Sequence, residues 1–337
     1  MEKLISNPLE NKISFINRLN YSFKRILNHL FDKNINDSNI QKSIERNFDG
    51  KVGKKYKILE YEKLDIKTFN ELHLKKGIPC IFRGAAKSWE AINKWSPKYF
   101  CEKYGNDKLP IMDNEISDGS FNVEEMLMSD FMNSIIEGKT KKYLRFGNLL
   151  HRYPELINDF KLDEIKKLMG KLKFGMNFGV FVGAKNTTTP LHSAPPDNLF
   201  VQVYGTKKWR IYDSKSDPAL RPIVDKTTYF STSFNPELPD FEEFPCAKFL
   251  NFYEFELRAG DILYNPPSYW HQVRNCDASF GVGFRWLSLK AFKLNFTQMI
   301  LFFMATNPSI FFVMRNKKKY TNVLIKAQEK NKKIFNR

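Results

Sequence analysis

Cysteine is scarce in this chain. Cys80, Cys101, Cys246 and Cys276 are scattered, with no C-x-x-C pair among them. That spacing argues against a disulfide framework or a structural zinc site and fits a reducing compartment better. Histidine is nearly as scarce, at five residues in 337, so any imidazole chemistry must rest on very few positions. Acidic residues are under-represented, 37 against 54 lysines and arginines, for a net charge of +17. Such an excess predicts attraction to anionic partners and says nothing about fold. The first residues, MEKLISNPLENKISFINRL, lack an unbroken apolar stretch, so no secretory signal is expected. What the chain has in quantity is apolar and aromatic material, 42% and 15% with 31 phenylalanines, enough for a large core and incompatible with wholesale disorder.

The charge is uneven. Residues 315–337 carry nine basic residues and one glutamate, nearly half of the net excess. A solvated tail is the simplest reading, and phosphate contact the alternative. No nucleic-acid-binding motif accompanies it, so nucleic acid is not the expected partner. Just before it, residues 294–314 contain no charge, a length that could span a bilayer. Asn307-Pro308 interrupts the run and would kink a helix. Three readings stay open: a packed or homodimer-forming helical pair within 291–337, an interfacial anchor on an anionic membrane surface, and a transmembrane span. The expected location is cytoplasmic, peripheral to a membrane if that segment attaches.

Along the chain, residues 1–54 read as a helical flank, with Ile16, Leu19, Phe23, Ile26, Leu27 and Leu30 at helical spacing. Ile78 to Phe82 reads as a buried strand ended by Gly84. A helix should start at Ser96-Pro97, a good cap followed by a good first-turn residue. From about residue 140, short apolar runs alternate with Gly and Pro punctuation, which indicates an all-β barrel or sandwich. The expected organisation is this flank, a β domain over 55–290, and a helical, basic extension over 291–337.

Two histidines stand in conspicuous settings. His192 lies in TPLHSAPPDNLFVQVYGTKKWRIY and His271 in GDILYNPPSYWHQV. On neighbouring strands of a barrel such a pair can converge at the mouth, where imidazole suits iron, zinc, copper or nickel. Either one alone is better read as an ordinary, satisfied histidine at a strand end.

These two segments, with GIPCIFRGAAKSWEAINKWS and KYLRFGNLLHRYPEL before them and in the same order, resemble the cupin-like JmjC family, including its asparaginyl hydroxylase group. The resemblance covers roughly residues 55–290. It implies a mainly β protein with helical flanks, built on a double-stranded β-helix of the jelly-roll or cupin type. It also implies an Fe(II)- and 2-oxoglutarate-dependent oxygenase, a hydroxylase of a protein side chain or small molecule. In the family's pattern His192 and His271 match the metal-binding histidines. Thr189 and Lys207 match the pair that holds the distal carboxylate of 2-oxoglutarate, with Lys208 as the alternative lysine. Asn198 matches an amide of the same pocket, and Tyr143 a tyrosine facing the cosubstrate.

One departure bears directly on the chemistry. The family places Asp or Glu two residues after the first histidine, and here that position is Ala194. The nearest acid, Asp197, is the one candidate substitute ligand. A second departure is Gly283, where some members carry an asparagine. Three outcomes follow: an oxygenase with an altered ligand set, an iron halogenase-like enzyme with a halide in the vacancy at Ala194, or a non-catalytic cupin-like binding module.

Overall fold

The computed structural model describes residues 7–31, 36–63, 65–113, 123–170, 174–223, 229–305 and 329. The early strands are Lys55–Tyr56 (β1), Leu59–Tyr61 (β2), Cys80–Phe82 (β3), Lys108–Asp113 (β4), Val123–Leu127 (β5) and Lys142–Gly147 (β6). The central ones are Phe174–Gly183 (β7), Thr188–Ser193 (β8), Asp197–Tyr204 (β9), Thr206–Tyr212 (β10) and Phe230–Ser231 (β11). Phe252–Arg258 (β12), Ile262–Asn265 (β13), Trp270–Asn275 (β14) and Ser279–Leu287 (β15) complete the set. Helices precede and interrupt them: Phe15–Phe31 (α1), Ser38–Asn47 (α2), Ile66–Thr68 (α3), Glu90–Lys94 (α4), Pro97–Tyr104 (α5) and Met128–Ile136 (α6). Leu149–Arg152 (α7), Leu162–Leu168 (α8), Asp217–Leu220 (α9), Lys290–Leu294 (α10) and Phe296–Ala305 (α11) follow.

The strands form two sheets. One runs β1-β12-β10-β14-β8-β11, the other β2-β3-β13-β9-β15-β7-β6-β4-β5. Consecutive strands alternate between the sheets from β7 to β10 and again from β12 to β15, so the chain winds as a double-stranded β-helix, the jelly-roll expected from the sequence. A buried cluster joins the two sheets, with Phe181, Phe200 and Leu263 from the larger and Trp209, Ile211, Leu257 and Val273 from the smaller.

The larger sheet is covered on its other face as well. Val180, Val182, Leu199, Val201, Val282, Phe284 and Trp286 pack with Trp89, Trp95, Phe100, Phe131, Leu156 and Ile165 from the helical segments. Burial on both faces explains why β9 and β15 read as continuous apolar runs rather than alternating ones. It also explains Gly281: a Cβ there would lie 2.2 Å from the Phe200 ring. The strand expected at Ile78–Phe82 is present in shortened form as β3. The helix expected at Ser96-Pro97 is α5, whose Ser96 hydroxyl accepts the Tyr99 N–H at 3.2 Å.

The N-terminal helix departs from its pattern. Helical spacing predicts that Ile16, Leu19 and Phe23 face inward, yet Ile16 is 67% and Phe23 60% exposed. The buried side of α1 is instead Asn17, Arg18, Tyr21, Ser22 and Ile26. Polar partners hold it there: the Asn17 amide donates to Ser43 at 3.2 Å and the Arg18 guanidinium to Asn295 at 3.5 Å. The sequence carries the apolar period, but the partners across the interface decide which face is buried.

Both flanks share one cluster with the end of the smaller sheet, where Tyr21, Ile40 and Ile44 meet Leu191, Tyr212, Trp270 and Leu301. Asp217 is its polar centre. Its carboxylate accepts Trp270 Nε1 at 2.9 Å, Gln298 Nε2 at 2.8 Å and Asn295 Nδ2 at 2.7 Å. Burial raises its pKa to about 6 against the lowering effect of those donors. Residues 306–328 and 330–337, which hold most of the basic segment and the second half of the apolar run, lie outside the described residues. Among the described residues no helix is long and apolar enough to cross a membrane.

Removing the Asp217 carboxylate leaves three buried donors unpaired, each costing about 1–3 kcal/mol. Asp217→Ala should therefore lower the unfolding free energy by roughly 3–5 kcal/mol. The shift in urea midpoint measures this, and a loss below about 1 kcal/mol would show that the three donors find other partners.

Candidate active site

β8 and β14 pair antiparallel with His192 directly opposite His271. Their rings lie 4.1 Å apart, centroid to centroid. Each ring is oriented by its own strand: His192 Nδ1 lies 2.9 Å from the Pro190 carbonyl oxygen and His271 Nδ1 3.0 Å from that of Tyr269. A carbonyl can only accept, so both Nδ1 atoms carry the proton and both Nε2 atoms keep a lone pair. That is the tautomer a metal-binding imidazole needs. Trp209 stacks on His271 at 5.6 Å and 16°, and Tyr229 meets His192 edge-on at 5.7 Å. Burial holds both imidazoles neutral. It takes His271 down to about 4 and His192 well below its ordinary value, with His271 adding to the effect on His192.

One step along the ladder from the histidines, Thr189 stands opposite Val273, about 7 Å away at strand spacing. Its hydroxyl donates to the Tyr143 oxygen at 3.3 Å. The next inward position is Asn275, paired in register with Lys207. The Lys207 ammonium is fully buried, donating to Asn275 Oδ1 at 2.5 Å and Ser279 Oγ at 2.9 Å, with its Nζ 5.5 Å from the Tyr143 ring. Strand alternation separates the two lysines: Lys207 points in, while Lys208 points out to Glu254 at 3.3 Å. Burial lowers the Lys207 pKa to about 7, opposed by the more distant Asp277 and Cys276. A carboxylate brought to it would restore its charge.

Across the barrel, Asn177, Arg285, Asn198 and Asn265 are aligned in register on four adjacent strands. Asn265 Nδ2 lies 3.3 Å from His271 Nδ1, a nitrogen that already carries its proton toward the Tyr269 carbonyl, so this contact is proximity and not a hydrogen bond. The Oδ1 atoms of Asn198 and Asn265 are buried with no hydrogen-bond partner, the mark of a polar site that a ligand or water completes. The space opposite Gly283 is taken by Asn198, whose Oδ1 would lie 2.9 Å from a Cβ there.

The candidate substitute ligand is engaged elsewhere. Asp197 accepts hydrogen bonds from Tyr264 at 2.8 Å, Ser288 at 2.6 Å and Lys290 at 2.5 Å. It tethers α10 to the start of β9. Among the described residues no three His, Cys, Asp or Glu side chains are placed to share a metal ion. Sequence reasoning missed Arg285, Asn265, Asn275 and Ser279. Asn275 could have been found by counting two inward steps from His271. The others depend on cross-strand register, which a single sequence does not carry.

The donor set therefore fits a metal in part. Two imidazoles stand 4.1 Å apart with Nδ1 held by their own strands, and partnerless amide oxygens belong to the same barrel, but among the described residues no protein carboxylate completes the set. An iron held here would take its other ligands from outside the protein.

The lysine can be tested by titration. The unfolded chain holds the lysine proton to about 10.5, whereas the folded one releases it near 7. More protons are bound to the unfolded state throughout that window, so ligand-free stability should climb as pH rises from 7 to 10. Lys207→Met should flatten the climb in urea unfolding series at stepped pH. An unchanged slope would mean that Lys207 is charged in the folded protein.

The family model for the cupin-like domain matches residues 66–290. Among curated proteins, JmjC domain-containing protein D of Dictyostelium discoideum is 28% identical over 240 residues, covering 64% of this chain and 53% of its own length. Lysine-specific demethylase 8 of Xenopus tropicalis is 25% identical over 224 residues, covering 66% and 51%. The human bifunctional peptidase and (3S)-lysyl hydroxylase JMJD7 is 23% identical over 246 residues, covering 61% and 76%. The chain spans about half the length of the first two. Matched over more than half of its own residues, the chain belongs to the cupin-like family in its JmjC form.

Proposed function

We propose that this protein is an Fe(II)- and 2-oxoglutarate-dependent oxygenase-like enzyme that hydroxylates a protein side chain or small molecule. The observation that carries this is one juxtaposition. Two Nε2-presenting imidazoles, 4.1 Å apart between centroids, share the inner face of a barrel with a buried hydroxyl–lysine clamp. The names of relatives, a lysine demethylase and a lysyl hydroxylase, agree with that class.

His192 and His271 would hold the iron, which when bound with 2-oxoglutarate and oxygen supplies oxidising power that no side chain has. The chain's own residues do the rest. Lys207 and the Thr189 and Tyr143 hydroxyls receive the far carboxylate of 2-oxoglutarate, a point charge and two hydrogen-bond donors at a fixed depth. The Asn198 and Asn265 amides, paired in register and with their oxygens unpartnered, offer further polar contacts beside His271. Trp209, Val273 and Phe200 pack with Tyr143 in one buried cluster that excludes water from this side of the barrel.

Ala194 favours two other readings. A two-histidine site with no third protein ligand binds metal more weakly, as a ligand-binding module would. The same vacancy would admit a halide, as in an iron halogenase. Purified protein supplied with Fe(II), 2-oxoglutarate and oxygen should form succinate. His271→Ala should weaken iron binding by at least about a hundredfold. Stoichiometric iron in that variant would refute the ligand assignment. If Ala194→Asp creates turnover where the native chain has none, the native site is a binding module. If it abolishes a chloride-dependent turnover, the vacancy serves halide.

The same reading extends to a peripheral position on an anionic membrane. Phe15, Ile16, Leu19 and Phe23 form an exposed apolar stripe on α1, and α1 packs against α11. With the basic residues of 315–337, this suits shallow insertion beside acidic lipid. Flotation with phosphatidylserine vesicles should carry the full chain, while Phe23→Asp and Ile16→Asp together, or truncation before 306, should leave it in the pellet. Flotation unaffected by both changes would remove this assignment.

A further inference from the structure

His192 also lines a space that the clamp residues do not share. A cavity of about 530 Å³ is lined by His192, Ala194, Arg285 and Tyr229 at its base, well inside the roughly 300–1,000 Å³ range of small-molecule sites. Its outer wall is apolar, formed by Phe292 of α10 and Met299, Phe302 and Phe303 of α11. Phe292 and Phe303 stack at 5.6 Å, and Phe302 meets Phe303 at 5.8 Å. Thr189, Lys207 and Tyr143 do not line it, so its lining is distinct from the cosubstrate residues.

The base is built as well as placed. Arg285 lies in register between Asn177 and Asn198, is part of the cavity surface, and remains partly accessible through it. Its charge is nevertheless deep enough that desolvation lowers its pKa to about 10, well within the cationic range at neutral pH. The position where the family places an acid is Ala194, a methyl group on the same cavity surface. A cationic fork, the neutral His192 imidazole and a vacancy thus share one cavity with an aromatic wall. The chemistry they would accept together is an anionic, planar head on an apolar body.

We propose that this cavity binds an amphipathic carboxylic acid, its carboxylate on Arg285 in the space left by Ala194 and its hydrocarbon body against the α10–α11 wall. The bound acid would supply from outside the protein the carboxylate that the chain lacks. The assignment rests on taking the cavity as the substrate side of the histidine pair, but not on turnover.

Calorimetric titration of the metal-free, 2-oxoglutarate-free full chain tests it, with dodecanoate, dodecanol, dodecyltrimethylammonium and succinate as probes below micelle-forming concentrations. Dodecanoate should bind at least about tenfold more tightly than the alcohol, the cation or the short diacid. Arg285→Gln should bring the acid down to the alcohol. Should that variant fail to fold, Ala194→Asp gives the same reading from the opposite direction, because a fixed carboxylate beside Arg285 should repel the acid and leave the alcohol unchanged. Phe292→Ser, on a partly exposed side chain, should weaken acid and alcohol together. Equal binding of acid and alcohol, an acid preference that survives both base variants, or succinate binding as tightly as dodecanoate would each overturn the proposal. A chain that takes up dodecanoate but forms no succinate from 2-oxoglutarate would keep this site and lose the oxygenase reading. The converse result would separate the two in the other direction.

Discussion

The site depends on a single register. His192 faces His271 because β8 and β14 pair in one alignment, and a slip of one residue would turn each imidazole out of the barrel. Two features fix the alignment. An irregularity between His271 and Val273 sets Thr189, rather than its neighbour, opposite Val273. Behind the strand, Trp270 is anchored to Asp217, so the residue next to His271 is hydrogen-bonded on the outer side of the sheet while His271 points inward. Opposite-facing neighbours on one strand are thus locked by different parts of the protein, and the inward one needs no loop to position it.

Loss of the family's acid changes the electrostatics more than the geometry. With Ala194 in that position, the groups nearest the histidines are neutral amides and the Arg285 cation, with buried Lys207 farther along. A doubly charged metal entering alone would meet a cationic neighbour in a dry setting, where Coulomb energies are large. It would be held only together with anions that offset it. In the proposed reading, metal, dicarboxylate and any anion near Ala194 therefore bind as a set, each favouring the next.

The parts of this arrangement differ in how far the sequence reveals them. His192, His271, Thr189 and Lys207 stand at positions a single segment or an alternation rule can identify. The choice of Lys207 over Lys208 follows from period two once the strand is recognised. Arg285 is different. It reads as one arginine inside FRWL, and its place beside the histidines comes from pairing with Asn177 and Asn198, residues 87 and more positions away in sequence. The α1 helix shows the same limit from the other side. Its apolar period was visible and its burial was not, because Ser43 and Asn295 offer polar partners to Asn17 and Arg18 and draw the other face inward. Continuous apolar runs in β9 and β15 hide their alternation for a third reason, since helices cover the face that water would otherwise have marked with polar residues.

The C-terminal helices join the barrel to its flanks. α10 is tied to the start of β9 by Lys290, which donates to Asp197 and Tyr264, and α11 is tied to α9 by Gln298 on Asp217. Both carboxylates are buried, and both also serve the barrel, Asp197 through Tyr264 of β13 and Asp217 through Trp270 of β14. The aromatic wall is thus fastened at two points to the barrel, α10 to β9 and β13, and α11 through Asp217 to β14, which carries His271. A helix pair fixed in that way cannot move far without leaving buried donors unpaired, so its phenylalanines act as a fixed wall and not as a lid. The shape that α10 and α11 give the cavity is then a property of the folded chain before any ligand arrives, which is the condition under which apolar contact adds to binding without a further ordering cost.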